Sequence, residues 1–193
     1  MDPAETAGFP RMKRDTKAAA CSNMEIEGIY AKYCKRAYAY FLCRTGNPQN
    51  AEDMTADLFL KVLCRHKSFD PEKSKFEVWL FRLAKNMAVD FYRANERRAA
   101  RTVGFEEARE IGEEPSPEQR ALESERALAL SRAISLLPKK QRSLVALRYA
   151  AGMKNIEIAA ITGMSEAAAG MALHRALEKL REILNKQGVD LHD

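Results

Sequence analysis

The sequence predicts an all-α protein of two small helical domains joined by an acidic linker. Three observations carry that expectation. Apolar residues recur at helical spacing over residues 23–98 and again over residues 121–187. No segment alternates like a strand, and no internal repeat is visible. Between the two periodic stretches, residues 99–120 lose the pattern and gather Gly104, Gly112, Pro115 and Pro117 among Glu106, Glu107, Glu110, Glu113, Glu114 and Glu118, the composition of a charged tether. A chain of 193 residues has room for two such units, each with a modest core.

Taken in order, residues 1–22 mix small, charged and Pro residues without periodicity and read as a disordered extension. A helical pattern begins at Ile26 and continues through Ile29, Tyr30, Tyr33, Ala37, Tyr40 and Phe41, until RTGNPQN (residues 44–50) breaks it. AEDMTADLFLKVL (residues 51–63) reads as a second amphipathic helix with acids in its first turns, where the helix dipole favours them. HKSFDPEKSK (residues 66–75) is a loop punctuated by Asp70 and Pro71. A long helix follows from Phe76 to about Arg98. Phe76, Leu80, Leu83, Met87 and Phe91 line one face and Arg82, Asn86, Asp90, Arg93 and Arg97 another. Beyond the linker, Leu122, Leu128, Ile134 and Leu137 mark a helix that stops at Pro138, and another spans residues 139–149.

NIEIAAITGMSEAAAGMALHR (residues 155–175) then reads as a short helix, a tight turn and a helix of recognition type. Ile156, Ile158, Ala159 and Ile161 make the apolar face of the first helix, and small Ala159 admits close packing of the second. Gly163 supplies the turn and Ser165 the N-cap, so the second helix presents its first turns to a major groove and runs on through Leu173, Leu177, Leu180 and Leu184. A plain helical hairpin has the same outline. Residues 188–193 form a tail.

Composition narrows the function classes. A formal net charge of +5 suits a phosphate backbone without requiring one. No apolar stretch approaches a membrane span, and the start lacks the apolar core of a secretory signal, so a cytoplasmic location is expected. Cys21, Cys34, Cys43 and Cys64 have no CxxC spacing and no His near enough to complete a finger, which argues for reduced, mostly buried thiols rather than zinc. His66, His174 and His192 have no partners at informative spacing; no nucleophile elbow or Walker loop is present, and no enzyme or cofactor is expected.

The long helix combines rings, cations and amides as single-stranded nucleic acid requires: bases stack on the rings while cations follow the backbone. Trp79, Phe81 and Tyr92 are candidate stackers, with a core role as the alternative. Asn86 and Asp90 stand one turn apart, and an amide and a carboxylate have the donors and acceptors to read base edges, although a solvated face looks the same in sequence.

AEDMTADLFLKV, then SFDPEKSKFEVWLFRLAKNMAVDFYR, then an acidic linker, then LLPKKQRSLVALRYAAGMKNIEIAAITGMS and LHRALEKLRE resemble, in that order, bacterial RNA polymerase sigma factors of the extracytoplasmic-function group. The likeness runs from Ile26 to Leu184 and rests on two motifs in fixed order. It implies a region 2 helical bundle, which grips the beta-prime clamp helices of core RNA polymerase and opens the minus-ten element. It also implies a region 4 helix-turn-helix, which sits on the beta flap and reads the minus-thirty-five element. By resemblance the polymerase grip falls on Asp53, Asp57, Leu58, Phe59 and Lys61, with Ala56 where the family commonly has Gln. Minus-ten contacts fall on Phe69, Asp70, Lys73, Lys75, Trp79, Asn86 and Asp90, with Arg82, Lys85, Arg93, Arg97 and Arg98 on phosphates. The partners that the resemblance implies are core polymerase and promoter DNA, with an anti-sigma factor as a further candidate. The linker's acids resemble the family's inter-domain segment, and a simple tether is the other reading.

The recognition helix departs from the family. Where a polar or basic series is usual, this chain has Ala168, Ala169, Gly170, Met171 and Ala172, which make no bidentate contacts to bases. Minus-thirty-five contacts are then expected from Lys139, Lys140, Arg142, Arg148, Lys154, His174 and Arg175 on phosphates and shape, with Ser165, Glu166, Ala168, Gly170 and Met171 at the helix surface. Three functions stay open: a sigma factor directing transcription initiation, a stand-alone regulator of the LuxR type, and a polymerase-binding protein with weakened promoter selectivity.

Overall fold

The computed structural model describes residues 16–101 and 119–187, all helical or in connecting turns, with no strand among them. Three helices come first: α1 (Thr16–Thr45), α2 (Pro48–Arg65) and α3 (Phe76–Arg101), with a 3-10 turn at His66–Ser68. Four follow: α4 (Gln119–Leu136), α5 (Lys139–Val145), α6 (Asn155–Thr162) and α7 (Glu166–Lys186). The expected extension up to residue 15, the linker over 102–118 and the tail over 188–193 lie outside the described residues, as do the side chains of Cys21, Arg98 and Leu122. Residues 16–22, expected in the extension, belong to α1, and the ends of the expected linker belong to α3 and α4.

The break between α1 and α2 is shorter than RTGNPQN suggests. Gly46 turns the chain at φ +67, and Asn47 caps α2 by accepting from Asn50 N at 2.9 Å. Pro48 then occupies the first turn of α2, where a missing N–H costs nothing. Starting α2 at Pro48 puts Glu52 and Asp53 in its second turn rather than its first. Tyr33, Ala37, Tyr40 and Phe41 of α1 pack against Ala51, Met54, Leu58, Phe59 and Val62 of α2 and against Val78, Leu80, Phe81, Ala84 and Ala88 of α3. Buried Thr55 satisfies its hydroxyl on Ala51 O at 2.6 Å.

The expected helix over 139–149 changes pitch partway. After α5 the chain makes a π-turn over Ala146–Ala150, closed by Ala151 N donating to Ala146 O at 2.9 Å, and Gly152 at φ +67 redirects it. In the helix-turn-helix, Gly163 adopts φ +77 and ends α6, while Ser165 Oγ accepts from Ala168 N at 3.2 Å and starts α7, both as the sequence expects. One expected inward residue is reversed. Ile156 faces solvent and Glu157 is buried, because the Glu157 carboxylate turns back to accept from Lys154 N at 3.0 Å and so fixes the phase of α6. Ile158, Ala159 and Ile161 point inward against Ala169, Leu173 and Ala176 of α7.

The two sets of helices pack on each other, α1 against the π-turn and α3 against α6. Arg36 of α1 donates through Nε to Ala151 O at 2.9 Å and pairs with Glu77 at 3.1 Å. Arg44, only 2 % exposed, donates to Lys139 O at 2.8 Å. Buried Arg142 reaches Leu137 O at 3.1 Å and Arg44 O at 3.4 Å, and Tyr92 Oη donates to the same Arg44 carbonyl. Lys75 joins Glu157 across this contact at 3.3 Å.

Two glycines predict stability changes of opposite sign. Gly163→Ala forces a Cβ into the left-handed region and should cost roughly 1–2 kcal/mol. Gly170→Ala replaces a helix-interior glycine whose Cβ would meet only Asn155 Nδ2, at an ordinary 3.5 Å, and should gain up to about 1 kcal/mol. Urea unfolding of the two variants against wild type checks both signs.

Glu157 predicts a pH dependence. Burial pushes its carboxyl up, but the Lys154 N–H and the Lys75 ammonium together outweigh burial and hold it below the usual carboxylate range. A depressed folded-state value contributes stability that is full above the unfolded value of about 4.3 and is lost as pH falls through the lower folded value. The unfolding free-energy difference between wild type and Glu157→Gln should therefore be constant near neutrality and close below about pH 4.

Candidate nucleic-acid interface

On α2, the outward face carries Asp53, Asp57 and Lys61, as expected for a partner-binding helix. Leu58 and Phe59, expected beside them on the surface, are instead core residues. Phe59 is 5 % exposed and its ring meets the Tyr30 ring at 4.8 Å. Three consecutive apolar residues left the phase of the helix ambiguous, and packing between α1 and α3 selects the first two for the inside. The apolar residue left outward is Leu60, 57 % exposed, with Ala56 and Leu63 one turn away on the same helix. The recurrence of Asp53, Ala56, Asp57, Leu60 and Lys61 at helical spacing is the signal that marks this face.

The loop after α2 is tied to α3 by rings. Phe69 packs on Phe76 at 5.3 Å and on Trp79 at 5.6 Å, and Phe76 continues the cluster to Tyr33 at 5.6 Å. Phe69 and Trp79 are half-buried, held by these ring contacts with part of each side chain still accessible. Phe81 is a core residue and no candidate for stacking. Tyr92 is also spoken for: the Arg44 guanidinium and the Lys139 ammonium each stand 5.2 Å from its ring. Asp70 orders the loop by accepting from Glu72 N at 3.1 Å and pairing with Lys73 at 2.9 Å.

The polar face of α3 is as the sequence expects. Arg82, Asn86, Asp90, Arg93 and Arg97 are all exposed, opposite the buried Leu80, Ala84, Met87 and Ala88. Among the described residues Asn86 makes no side-chain hydrogen bond, and Asp90 pairs with Arg93 at 4.0 Å. Two cations of this helix have partners that sequence does not show. Arg82 Nη2 donates to Ala160 O at 3.0 Å and Lys85 Nζ to Ile161 O at 3.3 Å, at the last carbonyls of α6. Such carbonyls are orphaned by the helix end and carry the negative pole of its dipole.

Between α3 and the C-terminal helices lies a cleft of about 510 Å³ whose charged lining is Arg44, Lys85, Arg93, Lys139 and Lys140 against the single carboxylate of Glu96. Lys139 is turned into this contact by Glu96. Arg142, expected on phosphate, is buried and spends its donors on carbonyls, so it is a structural residue. Arg148 is exposed and donates to Met153 O at 3.1 Å; Lys140 and Lys154 are exposed.

On α7, Ser165, Glu166, Ala168, Met171, His174 and Arg175 are exposed, as expected of a reading face. Ala169 is buried and Gly170 half-buried against Asn155, so neither belongs to it. Ala167, not among the expected residues, is exposed beside them. Among the described residues no His, Cys, Asp and Glu group has the makings of a metal site. Burial pushes the Cys43 thiol up to about 11, which keeps it protonated and inert, whereas Cys64 is exposed rather than buried. No single helix among the described residues is long and apolar enough to cross a membrane.

Residues 29–98 match the Sigma-70 region 2 family and residues 127–180 the Sigma-70, region 4 family. The ECF RNA polymerase sigma factor BldN of Streptomyces coelicolor is 31% identical over 184 residues, covering 94% of this chain and 69% of BldN. The ECF RNA polymerase sigma factor SigF of Caulobacter vibrioides is 32% identical over 152 residues, covering 78% and 80%. Among solved structures, CnrH, in complex with the cytosolic domain of CnrY, superposes with a TM-score of 0.60 at 26% identity, over 89% of this chain and 94% of that one. The sigma factor RpoE of Bartonella quintana, in complex with the anti-sigma factor NepR, has the same fold, with a TM-score of 0.66 at 21% identity over 83% and 97%. With both sigma-70 regions in order and relatives of this similarity, the chain belongs to the extracytoplasmic-function RNA polymerase sigma factors, proteins that bind core polymerase and direct transcription initiation at promoter DNA without chemistry of their own.

Proposed function

We propose that this sigma factor divides its work between residues 23–98, which hold core polymerase and open the minus-ten element, and residues 121–187, which hold the minus-thirty-five element, with residues 99–120 as tether. The observation that carries this assignment is the outward row Arg82, Asn86, Asp90, Arg93 and Arg97 on α3, beside the half-open rings of Phe69 and Trp79. A flipped base needs a ring or edge to replace its stack, and phosphates need the cations. Trp79, Asn86 and Asp90 serve the base; Lys73, Arg93 and Arg97 serve the backbone. Core polymerase docks on α2 through Leu60 and Leu63, ringed by Asp53, Asp57 and Lys61, an apolar centre with a charged rim.

In the free chain, Lys75, Arg82 and Lys85 sit on Glu157 and the α6 carbonyls instead of on phosphates. A carboxylate, the partial negative charge of a carbonyl at a helix end and a phosphate all draw on the same donors, and one ammonium or guanidinium does not serve two of them in the same place. Promoter engagement therefore requires the helix-turn-helix to leave α3, and docking on polymerase supplies the differential binding that drives the separation. The protein works where core polymerase is, in the cytoplasm. A partner of the anti-sigma class is part of this proposal, supported by the relationship to CnrH, which is known in complex with CnrY.

Run-off transcription on genomic fragments with core polymerase tests the assignment. Leu60→Asp should weaken polymerase binding tenfold or more, since about 1.5–3 kcal/mol of apolar burial is lost. Asn86→Ala should leave polymerase binding intact and cut promoter-specific transcripts by roughly tenfold, the scale of one lost base contact. Wild-type polymerase affinity for Leu60→Asp, or undiminished transcripts from Asn86→Ala, would contradict the respective assignment.

A further inference from the structure

The reading face of α7 is unusual in its chemistry. Ser165 fixes where the helix begins, and the inward positions Ala169, Leu173, Ala176 and Leu180 fix its phase. Ala167, Met171 and Arg175 therefore succeed one another at i, i+4 along the middle of the outward face, with Ala168 and His174 beside them. Met171 is 63 % exposed, the largest apolar side chain on this face. In the first turns of the helix the exposed side chains that hydrogen-bond are Ser165, occupied as the cap, and Glu166, which accepts only.

The major groove offers donors, acceptors and a single apolar feature, the C5-methyl of thymine. A helix whose central readers are a thioether and two methyl groups has nothing to give the donors and acceptors. It has a complementary surface for the methyl, and burying the two against each other removes both from water. The exposed cations Arg175, whose Nε donates to Met171 O at 3.4 Å, and Lys154 are placed to hold the backbone on either side.

We propose that Met171, with Ala167 and Ala168, is the specificity determinant of the upstream promoter contact and selects thymine by its methyl group; this rests on the assignment of α7 to the major groove of the minus-thirty-five element. Specificity of this kind favours T·A pairs at the one or two steps under Met171, and it discriminates thymine from cytosine and from uracil without a hydrogen bond. Glu166, at the edge of the same face, accepts from a cytosine or adenine amino group and bounds the methyl-reading segment.

The test uses holoenzyme reconstituted from core polymerase and the full chain, on a promoter recovered from run-off transcription of genomic fragments. The upstream element is synthesised with thymine or with deoxyuridine, which differ only by the methyl; the minus-ten thymines are left unchanged. Wild type should lose promoter affinity by roughly fourfold for each contacted methyl removed. Met171→Ala, an exposed substitution, should weaken binding to the thymine template and become indifferent to deoxyuridine, the coupling that a direct contact requires. Arg175→Ala separates the two ways of failing. If it weakens binding while deoxyuridine has no effect, α7 is on the DNA but reads by phosphates and shape, and the methyl proposal is overturned with the assignment intact. If Arg175→Ala, Met171→Ala and deoxyuridine all leave affinity unchanged, α7 is not on the DNA and both fall. Upstream elements built of G·C pairs alone would also overturn the proposal.

Discussion

Basic side chains of the N-terminal helices laid on backbone carbonyls of the C-terminal helices hold this molecule in its closed form. Arg36, Arg44, Arg82 and Lys85 reach the carbonyls of Ala151, Lys139, Ala160 and Ile161. The carbonyls of Ala160 and Ile161 end α6 and that of Ala151 follows the π-turn, where the regular ladder leaves oxygens without donors, whereas Lys139 O, at the start of α5, accepts from Arg44 on its outer side. The outer members of this contact, Arg82 and Lys85, are exposed or half-buried and contribute little each, as surface pairs do. Its inner members differ. Arg44 and Arg142 are buried without a carboxylate, and carbonyls, together with the Tyr92 ring, take the place of a counter-charge.

That division between an inner and an outer contact bears directly on function. A sigma factor has to place two DNA-reading surfaces on one promoter, and in the closed form the cations of α3 are partly consumed by the helix-turn-helix that would read the other element. On the proposed assignment phosphates compete for the same donors, with a full negative charge against the partial charge of a carbonyl. The outer contacts are cheap to exchange for such a partner. The inner Arg44, Arg142 and Tyr92 cluster costs more to open because charged groups must be rehydrated or left without partners. On the proposed assignment, the polymerase-binding face of α2 around Leu60 shares no residue with that cluster, so docking there leaves it intact until the second domain is drawn away.

Much of this was legible in the sequence because it is local. The caps at Ser165 and Gly163, the long helix from Phe76 and the outward row from Arg82 to Arg97 all follow from periodicity and from residues with strong positional preferences. What escaped is of two kinds. In Leu58, Phe59 and Leu60, three apolar neighbours give no phase, and only the packing of α2 between α1 and α3 decides that Phe59 is inside and Leu60 outside. In Ile156 and Glu157 a backbone cap outweighed hydrophobicity. Arg142 and Lys139 escaped for a different reason. Glu96 and the Arg44 carbonyl lie about forty to a hundred positions away in the chain, and a basic residue near a recognition helix looks the same in sequence whether it faces phosphate or a carbonyl of another helix. The family resemblance named candidate faces, while the contacts of Arg82, Lys85 and Lys75 with α6 came only from the three-dimensional arrangement.

The decisive measurement is transcription by a chain locked in the closed form. Cysteines at positions 75 and 157, whose native side chains meet at 3.3 Å, are joined by a short reducible cross-linker in a chain carrying Cys64→Ser, and run-off transcription is followed before and after reduction. The cross-linked protein should be inactive with core polymerase and should regain promoter-specific transcription when the link is reduced. Full transcription from the cross-linked protein would show that the helix-turn-helix and α3 need not separate, and would contradict the competition between carbonyl and phosphate on which the function of this fold is argued to depend.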